Sequence, residues 1–481
     1  MKLSVNQIII FGFLFHLLAA VYSIGHHHCD ELFQIYEFAG YKLQINQLND
    51  LPWEFAAKMR SGIQPLIVFG ISKLFFSIGI NNPFHIAILI RVLQSIFSFF
   101  VLVKFLKLFE PKFESESFKK LLWFCGLLLW CMPYFHARFS SENFSVSVFV
   151  LSVIIIYKQH EQIKFTRYLL AGVLFGLAFC IRFQTLFFII GLAAWLLWIQ
   201  RISYKQITLL LFGLSLALVF GYYCDYWLYD TFTFSWWNYL NENLFQNKAN
   251  NFGTAPFYFY ITESILQLIP PFSLIILAAF IYFFFKHSKS LITWMCLPFI
   301  ILHLLVGHKE LRFLFPLLYF MPFILCSFIE YLYISKNKFG KLVSSRGFVK
   351  FTFILNAILL LFFTFKPADD EALIFKKIYD YAQGDQAVLY FEKRNPYNNQ
   401  AGLNYFRKRG LQLMNITEST LTRQKSTDYY FGDGFTKQDI IIKQSKVFIR
   451  VYSNFPDWID SFNFNGWLQR ANAFSIYKRY Q

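Results

Sequence analysis

Eleven apolar segments, each long enough or nearly long enough to cross a bilayer, follow one another at 7–24, 84–109, 119–135, 143–157, 168–181, 183–200, 206–228, 263–285, 290–306, 312–333 and 349–366. A hydrocarbon core about 30 Å thick takes roughly 20 helical residues to span. Only helices and closed barrels satisfy their own backbone there. Runs of this length and character predict an α-helical polytopic membrane protein. Composition agrees: of 481 residues 56% are hydrophobic and 15% charged, and 64 are Phe. The first run lacks a small-residue cleavage site and reads as a retained first helix.

The net charge of +17 does not point to nucleic acid, because the basic residues fall in short loops between apolar runs, where they orient the chain in the membrane. A further apolar stretch, 63–80, is ambiguous. Counted as a span, it puts the basic loop 104–120 outside. Taken as an interfacial or re-entrant helix, it leaves that loop inside. The inside loops then carry Lys107, Lys112, Lys119 and Lys120; Lys158, Lys164 and Arg167; Arg201 and Lys205; Lys286 and Lys289; and Lys336, Lys338, Lys341, Arg346 and Lys350. The N-terminus lies inside and the C-terminus outside. Under this topology the polar clusters at 25–60, 136–143, 182–185, 230–262 and 307–312 all reach the outer face, as one site requires.

Residues 367–481 differ in kind from the transmembrane domain 1–366. They are polar, hold no spanning run, and carry short apolar strings at 387–391, 439–442 and 446–452. A small α/β extra-membrane domain on the outer side is expected, with Tyr452, Trp458 and Trp467 better suited to its core than to sugar stacking. The seven Cys show no zinc spacing and no CxxC, and none lies beyond 326, so no disulfide framework is expected.

Chemistry concentrates first in 307–316, GHKELRFLFP. His308, Lys309, Glu310 and Arg312 sit between two apolar segments at the membrane edge, where charge is costly and marks function. Lysine offers a point charge and arginine a planar fork, together suited to the phosphate of a lipid-linked ligand. Such residues also anchor helix ends in the headgroup layer. The first outer loop begins GHHHCDELFQIYE. Helical spacing would place Asp30, Gln34 and Glu37 on one face. A carboxylate there can take a proton from an attacking hydroxyl, and apolar Leu32 and Phe33 would raise its pKa; the same acids would also complement a helix N-terminus. Three adjacent histidines, His26, His27 and His28, cannot all reach one ion from a regular helix, and no metal site is expected. Arg60 enters the 63–80 helix, Arg138 and Glu142 flank a Ser-rich turn, and Arg182 needs an anionic partner or the interface. Asn238, Asn243 and Tyr258, interleaved with Trp236 and Trp237, suit either a sugar-binding surface or an aromatic belt.

Taken in order over about residues 1–330, these motifs resemble those of the glycosyltransferase family 22 mannosyltransferases, which are GT-C enzymes of GPI-anchor and lipid-linked oligosaccharide assembly with bacterial relatives. GHKELRFLFP is similar to the family's HKE-x-RF-x-x-P element, and residues 25–34 to its H-x-D-E-x-F-Q loop, with Cys29 where many members have proline. Arg60, Ser61 and Pro65 resemble R-S-x-x-x-P; RFSSE (138–142) and RFQT (182–185) are similar to R-T-x-S-N-x-x-E and R-P-T. Residues 238–260 resemble the N…G-x-x-P-x-x-Y loop, with Phe257 and Phe259 in place of tryptophan and histidine. The resemblance implies a GT-C fold of about 11 transmembrane helices, with interfacial helices in the first outer loop. It implies inverting transfer of a mannosyl residue from a polyprenyl-phosphate donor to a hydroxyl of a glycan or glycolipid acceptor at the outer face. Asp30 would be the base, with Glu31 second. His308, Lys309 and Arg312 would hold the donor phosphate, assisted by Arg60, Arg138 and Arg182, and Gln34, Glu142, Asn238, Asn243, Tyr258 and Glu310 would contact substrate. No cofactor or metal is expected. The resemblance implies a site on the outer, luminal or periplasmic, side; heavy use of Phe, Ile, Lys and Asn and a Cys-free tail suit a bacterial inner membrane, with the endoplasmic reticulum as the alternative. The alternatives are a GT-C transferase for another lipid-linked sugar, a pentose or glucose, and a lipid-linked glycan flippase or transporter; no internal repeat of the transporter kind is evident.

Overall fold

The computed structural model describes residues 3–157, 165–335, 337–382, 387–392, 394–399, 401–415, 429–433, 448–456, 458–459 and 473–479. Lys158, Lys164, Lys336, Trp467 and the string 439–442 lie outside them. Among the described residues, five helices are long and apolar enough to cross a membrane: Val5–Tyr22, Pro83–Lys112, Phe183–Gln200, Tyr204–Tyr229 and Arg346–Phe365. Three bent pairs raise the number to eight if each pair is one span. Ile63–Ser77 and Phe165–Ile181 are shorter apolar helices. The chain is an integral membrane protein, with a small strand-bearing tail after its last long helix.

Local signals start these helices. Ser4 and Gln7 cap Val5–Tyr22 reciprocally, the Gln7 amide donating to Ser4 Oγ at 3.3 Å and the Ser4 amide to Gln7 Oε1 at 2.8 Å. Ser345 accepts the Phe348 amide at 3.3 Å at the head of Arg346–Phe365. Tyr204–Tyr229 turns Leu211, Phe212, Leu216, Val219, Phe220 and Tyr223 outward, an apolar stripe that lipid can cover. Its opposite side meets Phe165–Ile181 so closely that a side chain on Gly172 would meet Leu210 O at 2.2 Å, the close approach small residues allow between membrane helices.

Breaks in the spans are satisfied from neighbouring helices. Where Glu116–Leu128 gives way to Cys131–Ala137, Asn356 donates to Leu128 O at 2.9 Å and accepts the Trp130 amide at 3.0 Å. Water is not available at such depth, so another helix fills its place. The apolar segment 312–333 is not one straight helix. It is a 3-10 stretch, Leu311–Tyr319, bent by 70° from Met321–Ser335. Pro316 and Pro322 lack the amide hydrogens that a continuous α-helix needs.

Two compact units divide the chain. The first comprises Met1–Ser23, Glu54–Val68 and Ala87–Lys366, and the second Ile24–Trp53, Phe69–Ile86 and Pro367–Gln481. The second contains the tail sheet, whose strands run in the order Gln412–Asn415, Val388–Phe391, Tyr429–Asp433, Phe474–Arg479, Phe448–Ser453. The first three are parallel and the last two join antiparallel. Parallel pairing needs crossover connections, which is the α/β character expected of the tail. Tyr452 is half-buried on its strand, whereas Trp458 is exposed.

Candidate active site

In the first unit a chain of buried and half-buried ion pairs joins three separate turns. Ser140 caps the helix Ser141–Ile156 and so places Glu142 in its first turn. Asn143 donates to His136 O and Arg138 O at 3.2 and 2.7 Å, closing the 95° bend before that helix. Glu142, 2% exposed, receives Arg182 Nη1 and Arg312 Nη1, both at 3.0 Å from Oε1. Arg312 also pairs with Glu310 through Nε, and the other Glu310 oxygen meets His308 Nε2 at 2.9 Å. The remaining His308 nitrogen faces Gly253 O at 2.9 Å. Both ring nitrogens thus face oxygen atoms of the neighbouring loop and of Glu310. Two arginines against two carboxylates balance in a largely desolvated setting, where electrostatic effects are strong.

Arg182 follows the helix Phe165–Ile181 in extended conformation. Burial lowers its pKa first, Glu142 opposes this, and neighbouring Arg312 and Arg60 add to the lowering; a guanidinium stays charged all the same. Its guanidinium lies 5.4 Å from the Phe313 ring centre, and that of Arg312 lies 5.1 Å from the same ring. Lys309 donates to Ala255 O at 3.1 Å and to Val306 O. With the Ala255 amide on Gly307 O at 3.0 Å, this fastens the large polar loop to the 307–312 stretch.

Arg60 borders the same network. It pairs with Glu54 at 2.5 Å and lies over the Tyr239 ring at 5.3 Å, while the Tyr239 hydroxyl accepts Gln184 Nε2 at 2.5 Å. Tyr229 holds the Arg60 backbone, donating to its carbonyl at 2.7 Å. Asp225 accepts the Gly62 amide at 2.8 Å and the Ser235 hydroxyl. Gly62 lies so close to the helix that a side chain there would meet Cys224 O at 2.2 Å, so the turn after Arg60 needs glycine.

The remaining expected residues of this unit have these partners. Arg138 donates to Ser23 O at 3.0 Å. Asn238 bridges Lys58 O and Thr233 Oγ1 at 3.2 and 2.9 Å. Asn243 donates to Tyr239 O within its own helical turn at 3.0 Å, and Tyr258 is exposed. Phe313, of the RF pair in 307–316, and Tyr239, which no sequence spacing marks, sit against the arginines.

The acid loop belongs to the second unit. After the turn at 25–29, Leu32–Glu37 is a π-helix followed by the helix Phe38–Lys42. The wider winding turns Glu37 off the face expected for Asp30 and Gln34. Asp30 is half-buried; Glu31 and Gln34 are buried, and Glu31 accepts the His27 amide at 3.2 Å. The His28 ring lies beside Asp30, with Nδ1 at 3.5 Å from Oδ1 and the Asp30 amide donating to it at 3.2 Å. Glu37 is 0% exposed. It accepts Asn46 Nδ2 at 2.5 Å, the Asn404 amide at 3.1 Å and the Tyr405 amide at 3.2 Å. Burial pushes its pKa up to about 8 against those bonds. The tail also holds the start of the loop: the Ala368 amide donates to Ile24 O at 2.9 Å, and Asp369 lies 3.3 Å from His26.

The sequence model of the Alg9-like mannosyltransferase family matches residues 7–386. GPI mannosyltransferase 3 of Candida albicans is 30% identical over 75% of this chain and 69% of its own length. GPI mannosyltransferase 3 of Yarrowia lipolytica is 25% identical over 56% of this chain, and GPI alpha-1,2-mannosyltransferase 3 of Danio rerio 25% over 56%. In those two the match spans about half of the relative, 51% and 49%. The fold is similar to that of ArnT from Cupriavidus metallidurans, crystallised with undecaprenyl phosphate, at a TM-score of 0.54 and 9% identity over 98% of this chain and 97% of that one. The chain therefore belongs to the Alg9-like mannosyltransferase family and is a multi-pass membrane glycosyltransferase of GT-C fold.

Proposed function

We propose that the chain moves a mannosyl residue from a polyprenyl-phosphate donor to a hydroxyl of a glycan or glycolipid at the outer face of the membrane. The observation that carries this reading is the pair of arginines, Arg182 and Arg312, held on one buried carboxylate at the ends of apolar helices. A guanidinium pair fixed in place before the reaction meets the charge that grows on a departing phosphate without having to reorganise, which is the electrostatic contribution that lowers barriers most. Glu142 and Glu310 keep the forks aimed and the resting charge small. Lys309 adds positive charge beside them and His308 a ring nitrogen, and Arg60 and Arg138 assist from neighbouring turns. Gln34, Asn238, Asn243 and Tyr258 are assigned to sugar or acceptor contacts. The undecaprenyl phosphate bound by ArnT in its crystal structure supports a lipid phosphate as the donor class.

Asp30 takes the proton of the acceptor hydroxyl as its oxygen attacks the anomeric carbon; that bond forms while the bond to the phosphate oxygen breaks, and the configuration inverts. Glu31 is the second candidate. A monophosphate leaving group met by fixed guanidinium groups needs no divalent cation.

The test uses the purified chain with polyprenyl-phosphate mannose and a glycolipid acceptor. Asp30→Asn is expected to lower kcat by about 10²–10⁴-fold, the range of general-base catalysis, with donor affinity kept. Arg312→Ala is expected to weaken donor binding by about 10–100-fold, as loss of a charged hydrogen bond does. Undiminished turnover in the first variant removes Asp30 as base, and no transfer by the wild type itself favours a flippase. Unchanged donor affinity in the second makes the arginines helix anchors. Preference for a pentosyl or glucosyl donor would reassign the sugar.

A further inference from the structure

The turn that precedes the proposed base gathers three different metal-ligating side chains. His28, Cys29 and Asp30 each present one donor atom, and the three atoms lie within 4.8 Å of one another. Cys29 Sγ is 3.7 Å from His28 Nδ1, and Asp30 Oδ1 is 3.5 Å from the same nitrogen. Ligand atoms about 2.0–2.3 Å from a tetrahedral zinc are separated from each other by roughly 3.3–3.8 Å. Two edges of the triangle therefore already have the length that zinc requires.

Adjacent residues converge here because the chain turns at 25–29 and becomes helical only at Asp30. Gly25 has φ +94°, the Glu31 amide donates to His28 O at 3.0 Å, and the Leu32 and Phe33 amides both donate to Cys29 O, at 2.9 and 3.0 Å. Cys29 is the one partly exposed cysteine of the chain; the other six are buried. A soft thiolate, an imidazole and a carboxylate together select zinc over magnesium or calcium. Three protein ligands leave the fourth position to water, the open form of zinc site.

We propose that His28, Cys29 and Asp30 form a zinc site, and that its occupation silences transfer by coordinating the Asp30 carboxylate. The silencing half rests on Asp30 being the base. Zinc takes the His28 Nδ1 lone pair in place of the Asp30 amide, displaces the thiol proton of Cys29 to solvent, and binds one Asp30 oxygen. A coordinated carboxylate no longer accepts the acceptor's proton. Removing zinc returns the loop to its active form, so the site acts as a reversible metal-sensitive brake.

The experiment measures zinc affinity by competition with a chromophoric chelator, on the full chain purified without a polyhistidine tag, and turnover with and without added zinc. Wild type is expected to bind one zinc per chain and to lose turnover on zinc addition, with recovery on chelation. Cys29→Ser is expected to keep basal turnover, to bind zinc at least about tenfold more weakly for want of the thiolate, and to resist inhibition. Equal zinc affinity in wild type and Cys29→Ser, or no binding by either, overturns the site. One zinc bound by wild type with undiminished turnover overturns the brake and, with it, Asp30 as base, while the site stands. Asp30→Asn measured without zinc tests the base independently of any metal.

Discussion

Glu142 is a single carboxylate that fixes two arginines distant from it in the chain, Arg182 and Arg312. Removing one partner of a buried ion pair costs about 3–5 kcal/mol, chiefly because the other charge is left uncompensated. Glu310 makes a similar pair, but its side chain is 24% exposed against 2% for Glu142. Solvent therefore screens what is lost at Glu310 and not at Glu142. Glu142→Ala is expected to lower the thermal midpoint of the detergent-solubilised chain well below that of Glu310→Ala, read by intrinsic-fluorescence melting. An equal loss from both would mean that water reaches the Glu142 pair. At this scale the sequence was informative about which residues carry charge near the membrane, because Glu142, Arg182, His308, Glu310 and Arg312 interrupt apolar runs. It was silent about who pairs with whom. Phe313 was marked only as a letter of the HKE-x-RF-x-x-P element and Tyr239 not at all, since an aromatic residue beside an apolar helix is expected whether or not an arginine lies over it.

The acid loop shows what determines an element. Hydropathy marked the apolar helices, because composition is the main signal of a membrane helix, but among the described residues they amount to five unbroken spans, or eight if each bent pair is one, and not eleven. It did not reveal that 32–37 winds as a π-helix, which depends on where Glu37 finds its donors. Those donors are an Asn46 side chain and two backbone amides in the tail. Burial holds the Glu37 pKa at about 8, against an ordinary 4.5. The folded loop therefore binds a proton that the unfolded loop releases between pH 4.5 and about 8. Folding stability from this group is fully present below about pH 4.5 and falls as pH rises through about 8. Melting the wild type and Glu37→Gln side by side from pH 5 to 8 checks this. The difference in stability, wild type minus variant, is expected to fall steadily with pH, because glutamine keeps the shape and has no proton to lose. A flat difference would mean that the amide donors outweigh burial and hold the carboxylate ionised throughout.

At the scale of the whole molecule, the tail and the acid loop fold as parts of one unit although more than three hundred residues separate them. Composition marks where the tail begins, since polar residues replace a long apolar run after Phe365. It carries no trace of the tail's attachment to 24–53. The contacts are backbone amides at Asn404, Tyr405 and Ala368, and a backbone amide has no residue signature. The hydroxyls of Tyr405 and Ser72, 2.9 Å apart, and the rings of Tyr405 and Phe406, 5.2 and 5.3 Å from that of Tyr36, strengthen the junction but read locally as ordinary core. A chain ended after Lys366 loses every one of these partners, and Glu37 is then left with Asn46 alone of its named donors. Each lost hydrogen bond is worth about 1 kcal/mol, so amides of 32–42 are expected to exchange with deuterium on the order of a hundredfold faster in the truncated chain. The helices Tyr204–Tyr229 and Phe165–Ile181, which pack on each other within the first unit, should keep their protection. Unchanged exchange in 32–42 would show that the loop folds without the tail, and the tail would then need another reason to be there.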